Sequence, residues 1–305
     1  MTSARRPRDL VQPFVVEALG LRGRLVRLDD AIDEILGRHD YPPAVSHLLG
    51  EVVTLAAVLA SALKVDGIFT LQIKGDGPVK TLVADLESPG TLRGYARYEP
   101  VAAALRETAP LGDVVGRGYL AWTVDPKAGE RHQGIVALEG RTVAECTESY
   151  FHQSEQLRAA IRVGIGHQTE GGSQRWRSGA MMIQRIAAAG GINAESNAEL
   201  IEEHWRHGRA LTATLTPAEL IDPALSEEAL LYRLFHEVGV AVAEPQALKA
   251  GCRCSESRVR TVLSRFSPDE IRDMVVADAI EARCEFCNSV YRFRPHEFVA
   301  MPVVH

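Results

Sequence analysis

Four of the five cysteines of this 305-residue chain fall in two close pairs near its end, Cys252-Arg253-Cys254 and Cys284-Glu285-Phe286-Cys287. The 29 residues between the pairs are enough for the chain to turn back and bring four sulfurs to one point. Four thiolates around one point make the tetrahedral, soft-ligand site that zinc prefers. A disulfide framework belongs to small secreted chains, and this chain is read as having no secretory leader. In a reducing compartment, clustered cysteines are metal ligands or redox groups rather than cross-links. Cys252, Cys254, Cys284 and Cys287 are therefore the expected ligands of one Zn²⁺; four buried free cysteines, the bland reading, rarely cluster so tightly.

The first pair is tighter than the usual C-x2-C, whose intervening amides can donate to sulfur. Two cysteines at i and i+2 can share a metal, but a disulfide between them closes a small, strained and reducible ring. Such a pair suits a reversible switch better than a permanent staple. C-x2-C also forms disulfides in thiol oxidoreductases. The same four sulfurs can thus hold zinc when reduced or close local disulfides when oxidised, but not both at once.

Other candidate motifs read as structure. Lys74-Gly75-Asp76-Gly77-Pro78 lacks the G-x4-G-K-[ST] arrangement of a phosphate loop and reads as a hairpin turn. Gly164-Ile165-Gly166 is too short for a dinucleotide fingerprint. Cys146 stands alone among acids that disfavour its thiolate, and with His152 six residues on it reads as a half-buried structural cysteine rather than a nucleophile. His236, His296 and His305 read as non-ligands, because four cysteines already complete a structural zinc site. Arg253 and Arg283 flank the sulfurs; they either offset the double negative charge of a zinc–tetrathiolate centre or are ordinary surface charges.

Composition narrows the function classes. A hydrophobic fraction of 46% and a charged fraction of 24% fit an ordinary globular chain of two or three units. The net charge of −6 offers no bulk attraction to nucleic acid or to an anionic membrane. From Cys252 to Glu297, eight Arg are balanced by eight Asp or Glu, whereas a nucleic-acid-binding ribbon would carry a basic excess there. The longest apolar run, 52–63, falls short of the roughly 18 residues of a membrane span and reads as a buried helix. Arg5, Arg6 and Arg8 read as part of a disordered arm. A cytoplasmic location follows as the default expectation.

The elements that must position the cysteines can be sketched. A short helix over 29–36 is stopped by Gly37, and Pro42-Pro43 opens a long apolar helix to about residue 64. Strands separated by Gly and Pro turns follow at 68–74, 79–86, 92–98, 118–124 and 133–138. A helix over 142–157, a strand near 161–165 and a loop at Gly171-Gly172-Ser173 close an α/β region near Gly179. From Ala180 the chain is expected to be helical, with a break at Gly190-Gly191 and a polar helix over 197–209. Capping signals stand at Thr216-Pro217-Ala218-Glu219 and at Ser226. This stretch has too little apolar content of its own and should pack on a neighbour. In the last unit, Ser267-Pro268-Asp269-Glu270 caps a helix between the cysteine pairs and 288–294 reads as a strand. A unit of about 55 residues with so little apolar material needs a staple, which zinc would supply.

The ordered combination resembles a known family. C-x-C, about thirty residues and then C-x2-C, together with Gly75-Asp76-Gly77-Pro78, Arg93-Gly94-Tyr95, the run from Tyr150 to Leu157 (YFHQSEQL) and Leu231-Tyr232-Arg233-Leu234-Phe235-His236-Glu237, is similar to the bacterial redox-regulated 33-kilodalton heat-shock chaperone (33 kDa chaperonin) family. The stretch 193–215 carries no motif of that family. The resemblance implies an α+β fold in three parts. These are an N-terminal α/β client-binding domain (1–179) with a mainly antiparallel sheet and packed helices, a helical linker (180–239) and a small C-terminal zinc switch (240–305). It implies an ATP-independent holdase, not an enzyme, whose partners are unfolded or partly unfolded client proteins, with a homodimer when oxidised and neither nucleic acid nor membrane as partner. It implies Cys252, Cys254, Cys284 and Cys287 as zinc ligands when reduced, and the disulfides Cys252–Cys254 and Cys284–Cys287 when oxidised. Cys146 corresponds to a family cysteine outside the centre. Two rivals stay open, a nucleic-acid-binding zinc ribbon and a thiol–disulfide oxidoreductase using Cys284 and Cys287.

Overall fold

The described chain opens with a hairpin that has no counterpart in the sequence reading, β1 (Leu10–Val16) and β2 (Leu21–Leu28), turned at Gly20 with φ 61°. The computed structural model describes residues 8–63, 66–154, 158–186 and 198–298. It divides into two compact units, residues 1–250 and 251–305.

In the larger unit the hairpin leads to α1 (Asp30–Gly37) and α2 (Pro43–Leu63). By length and composition α2 could cross a membrane, but 83% of its apolar window is buried inside the protein, as expected for the 52–63 run. Its neighbours are the strands of two sheets, which is why apolar residues surround the helix rather than forming one stripe. Among the polar exceptions is Thr54, whose hydroxyl donates to the Gly50 carbonyl at 2.7 Å and lies 2.6 Å from the Ser178 hydroxyl. The sheet on one side is built from β3 (Gly67–Gly75), β4 (Val79–Glu87) and β5 (Thr91–Tyr98), then, after α3 (Leu111–Val115), β6 (Gly118–Pro126) and β7 (His132–Ala137). These five strands match the expected ones and pair antiparallel in the order β5-β4-β3-β6-β7. The Gly75–Pro78 turn is a hairpin turn, and its amides serve backbone: Asp76 donates to the Arg117 carbonyl at 3.0 Å and Gly77 to that of Val115 at 2.8 Å.

Helix α4 (Val143–Ser154) follows, then β8 (Ala159–Glu170) and β9 (Ser173–Arg185), joined at Gly171 and Gly172, both with positive φ. Glu51 on α2 accepts backbone hydrogen bonds from Val143 and Ala144 at the start of α4, while burial pushes its pKa up to about 7. Strand β9 corrects the expectation of helix from Ala180. It lies between β2 and β8, and both its faces are covered: Ala180 and Met182 point into the α2 core, Met181 and Ile183 into a second core. A strand buried on both faces loses its polar alternation and reads like a buried helix. The same masks β1 and β2, where Val11 and Val26 face one core and Phe14 and Leu25 the other. Arg8 is a second correction. It is no part of a loose arm, since it pairs with Glu170 and lies 3.3 Å from Asp29.

The second core is made by α5 (Ala198–Ala213), α6 (Pro217–Ile221) and α7 (Glu227–Phe235), whose Trp205, Leu220, Leu230, Leu231 and Phe235 bury against the outer face of β1, β2 and β9. Thr216 forms both halves of its capping box and Ser226 caps α7, as expected. Gly179 lets the α6 backbone lie directly on the sheet, because a Cβ there would meet the Leu220 carbonyl oxygen at 2.5 Å. Buried Arg27 clamps this layer by donating to the carbonyls of Asp222 (2.7 Å), Leu225 (2.9 Å) and Glu219 (3.1 Å). The Gly190-Gly191 break and the end of the YFHQSEQL run (155–157) lie outside the described residues.

Three two-residue strands end this unit. β10 (Ala241–Val242) and β11 (Gln246–Ala247) pair antiparallel with β1, and β12 (Lys249–Ala250) pairs parallel with β5. The architecture is thus mixed α+β with almost wholly antiparallel sheets.

The second unit holds α8 (Glu256–Leu263), capped by Ser255, and α9 (Pro268–Asp273), where Ser267 completes the expected capping box. The antiparallel sheet β13 (Val275–Val276), β14 (Ala279–Arg283) and β15 (Val290–Phe293) follows. Its core is small: Leu263, Ile271, Ile280 and Phe293.

Candidate metal centre

The C-x2-C pair occupies the turn of the β14–β15 hairpin. The Cys284 amide donates to the Ser289 carbonyl and the Asn288 amide to the Cys284 carbonyl, both at 2.9 Å, with Asn288 in the left-handed region at φ 60°. This tight turn folds Cys287 back beside Cys284 and aims the amides of Phe286 and Cys287 at the Cys284 sulfur. The C-x-C pair lies in the extended segment that leads to Ser255, the cap of α8.

These two segments bring the four predicted sulfurs together. All lie within 4.8 Å of one another, and among the described residues no histidine or carboxylate joins them. Cys252 Sγ is 3.7 Å from Cys284 Sγ, and Cys254 Sγ is 3.2 Å from Cys287 Sγ. A metal–sulfur bond of about 2.3 Å in a tetrahedron sets the sulfurs about 3.8 Å apart. The set therefore has the spacing and the donor chemistry of a thiolate metal site, and the four cysteines could hold a metal ion. None is cross-linked.

Two further side chains complete the site, and the sequence reading passes over both. The Tyr291 hydroxyl donates to Cys254 Sγ at 3.1 Å, and Cys287 Sγ lies 3.2 Å from the Ser289 hydroxyl. No periodic signal marks them, because the left-handed turn at Asn288 breaks strand alternation between Cys287 and Ser289. Arg283 is engaged elsewhere, 2.9 Å from the Asn288 side-chain oxygen and 3.6 Å from Glu281. The Arg253 carbonyl accepts from Arg258 at 2.6 Å.

The thiols do not titrate alike. Burial pushes Cys254 up to about 12, helped by the neighbouring sulfurs and opposed by Tyr291. Burial also works against ionisation of Cys287, but hydrogen bonds from Ser289 and the adjacent sulfurs outweigh it and hold that thiol at about 6. One sulfur is thus ready to lose its proton near neutrality, while burial holds Cys254 and Cys284 protonated until a cation replaces their protons.

The remaining candidates stay apart from this centre. Cys146 is fully buried rather than half-buried, accepts the Gly140 amide at 3.2 Å, and is pushed up by burial. His236 Nδ1 lies 3.1 Å from the Tyr232 carbonyl on α7, and His296 sits in the turn after β15. His305 lies outside the described residues.

Comparison with known proteins gives one consistent answer. The family model described as Hsp33 protein matches residues 9–294. The 33 kDa chaperonin of Caulobacter vibrioides is 42% identical over 293 residues, covering 94% of this chain and 95% of its own. That of Photorhabdus laumondii is 37% identical over 298 residues, covering 97% and 96%. The crystal structure of the 33 kDa chaperonin (heat shock protein 33 homolog) from Thermotoga maritima superposes with a TM-score of 0.77 at 23% identity, covering 95% of this chain and 96% of that one, and shares the fold.

Proposed function

This chain belongs to the Hsp33 family of chaperones, and on that premise we propose that it is an ATP-independent holdase kept inactive by zinc and switched on by oxidation. Cys252, Cys254, Cys284 and Cys287 hold the ion in the reduced form, and zinc supplies the cross-link that a four-residue core lacks. Residues 240–305 act as the switch and the helices α5–α7 as the linker; because the expected boundary at 179 falls inside β9, the client-binding body runs to the end of that strand at Arg185. The protein works in the cytoplasm on unfolded or partly unfolded proteins, dimerises when oxidised, and uses neither nucleic acid nor catalysis.

The observation that carries this reading is the convergence of four sulfurs, one of them readily ionised, in a unit with almost no core of its own. Thiolates are the form that attacks an oxidant. With a peroxide as acceptor, each cysteine pair gives up two electrons and forms one disulfide, and each peroxide becomes two hydroxide ions. The metal loses its ligands with the electron pairs. Loss of the switch unit's fold loosens the linker helices and uncovers the apolar faces of Phe14, Leu21, Leu25 and Met181 now beneath them.

The test is aggregation of an unfolding client, without ATP, in the presence of reduced and oxidised protein, with zinc measured in parallel. Suppression by the oxidised, zinc-free form alone is expected. Equal suppression by both forms would make the metal a structural staple only. Repeated turnover of a disulfide substrate would favour the oxidoreductase reading, and a salt-sensitive gel shift the nucleic-acid one.

A further inference from the structure

We infer that the outer edges of β1 and β5 form a binding site for an extended polypeptide strand, which residues 241–250 occupy in the state described here. β1 has β2 on one side and β5 has β4 on one side; on the other side each has, among the described residues, only this strap. Without it, both sheets end in a row of open backbone groups, a template for a further strand. Pro13, in mid-β1, belongs at such an edge: its carbonyl accepts from the Ala243 amide at 3.0 Å, so the donor it lacks would also face the strap.

The strap is held chiefly by its backbone. The Leu248 amide donates to the Asp9 carbonyl at 2.9 Å and the Lys249 amide to that of Gly90 at 3.0 Å, while the buried Gln12 side chain donates to the Ala243 carbonyl. Gly90 makes the approach possible, because a Cβ there would run into the Ala247 carbonyl oxygen. Most of the strap's side chains are exposed, Val242 among them, and Leu248 is the buried anchor. A cavity of about 680 Å³ lies beside Leu248, with Val11, Ala60, Leu86 and Pro89 on its apolar side and Arg24, Ser61 and Ser88 on its polar side. The edge therefore reads main chain plus one buried apolar side chain, at the place of Leu248, and is nearly indifferent to other side chains.

That selectivity fits one occupant, an extended segment of an unfolded polypeptide carrying an apolar residue, bound by β-augmentation. The ladders that hold the strap are two residues long, and in sequence only Gly251 separates Ala250 from Cys252. The occupant's source rests on the chaperone reading above; the edge itself does not.

The test uses a fluorescent peptide of residues 239–251 and the full-length, reduced, zinc-loaded chain. Wild type should bind it weakly, because its own strap fills the site. Leu248→Asp in the chain should raise affinity at least tenfold, and so should Ala243→Pro, which removes only one edge hydrogen bond and guards against misfolding of the first variant. The same Leu248→Asp change in the peptide, or Gly90→Val added to either chain variant, should abolish the gain. Cooperatively melting strap variants that gain no affinity would overturn the proposal, as would binding that survives Gly90→Val. Strap variants that dimerise and exclude the peptide would overturn it too, by making a second copy the occupant. No oxidation is needed, so a failed redox switch and a failed edge site give different results.

Discussion

Stripping the metal from the reduced protein should unfold residues 251–298 and leave the core around α2 intact. The magnitude follows from the core of that unit. Leu263, Ile271, Ile280 and Phe293 are exposed by 6%, 1%, 2% and 1%. At about 1.5–3 kcal/mol each, their burial supplies roughly 6–12 kcal/mol before any cost of ordering the chain. A structural zinc supplies about 10–16 kcal/mol. The metal term is thus comparable to or larger than the hydrophobic one. Amide hydrogen exchange after chelation, with a reductant present to prevent disulfides, reads this directly. Amides of β14 and β15 should exchange at least a thousandfold faster, which corresponds to about 4 kcal/mol. Those of α2 and of β3, β4 and β6 should keep their protection. If β14 and β15 stay within tenfold of their metal-bound rates, the apolar core is sufficient and the reasoning fails.

Tyr291→Phe should weaken zinc binding about ten- to hundredfold in competition with a chromophoric chelator, because it removes the hydrogen bond that holds Cys254, while saturating metal still gives full occupancy. Glu51→Gln should change how stability depends on pH. The folded-state pKa of Glu51, about 7, lies above its ordinary 4.5, so its contribution is full below about 4.5 and is lost as pH rises through 7. Wild type should therefore lose about 3 kcal/mol relative to the variant across that window in urea melts, and a pH-independent difference would contradict the assignment. Peptide mapping after oxidation should find Cys252–Cys254 and Cys284–Cys287, because closing loops of three or four residues outruns closure between the pairs once the array opens. Mainly Cys252–Cys284 and Cys254–Cys287 links would mean that the sulfurs oxidise in place, along their 3.7 and 3.2 Å contacts.

What was legible in the sequence follows the physics of each segment. Strands β3 to β7 could be read because they are antiparallel, partly open to solvent and punctuated by Gly-Asp-Gly-Pro and Ser-Pro-Gly. The metal ligands could be read because ligand spacing is local: each pair needs only two or three residues to present its sulfurs. Strands β1, β2 and β9 could not, because apolar layers on both faces erase the period that marks a strand. The strap could not either, since its two-residue ladders have no pattern of their own and exist only through the edges they cover. Cys146 reads as half-buried in the sequence, whereas helix α4 turns it fully inward, into the core around α2.

Oxidation adds covalent bonds and yet should lower order, and the structure explains why the two do not conflict. A cross-link stabilises by restricting the unfolded chain, and its effect grows with the loop it closes. Bonds within Cys252–Cys254 and within Cys284–Cys287 close the shortest loops available and restrict almost nothing. The reduced array instead ties the segment before α8 to the β14–β15 turn, spanning 32 and 33 residues in its closest contacts. Exchanging one long-range tie for two local ones removes the only strong constraint on a chain with four buried apolar side chains. The sheets packed around α2 have no such dependence, because that helix is buried among them. The instability therefore begins in the unit that carries the sulfurs, where a chemical event of a few electrons can be converted into a change of fold.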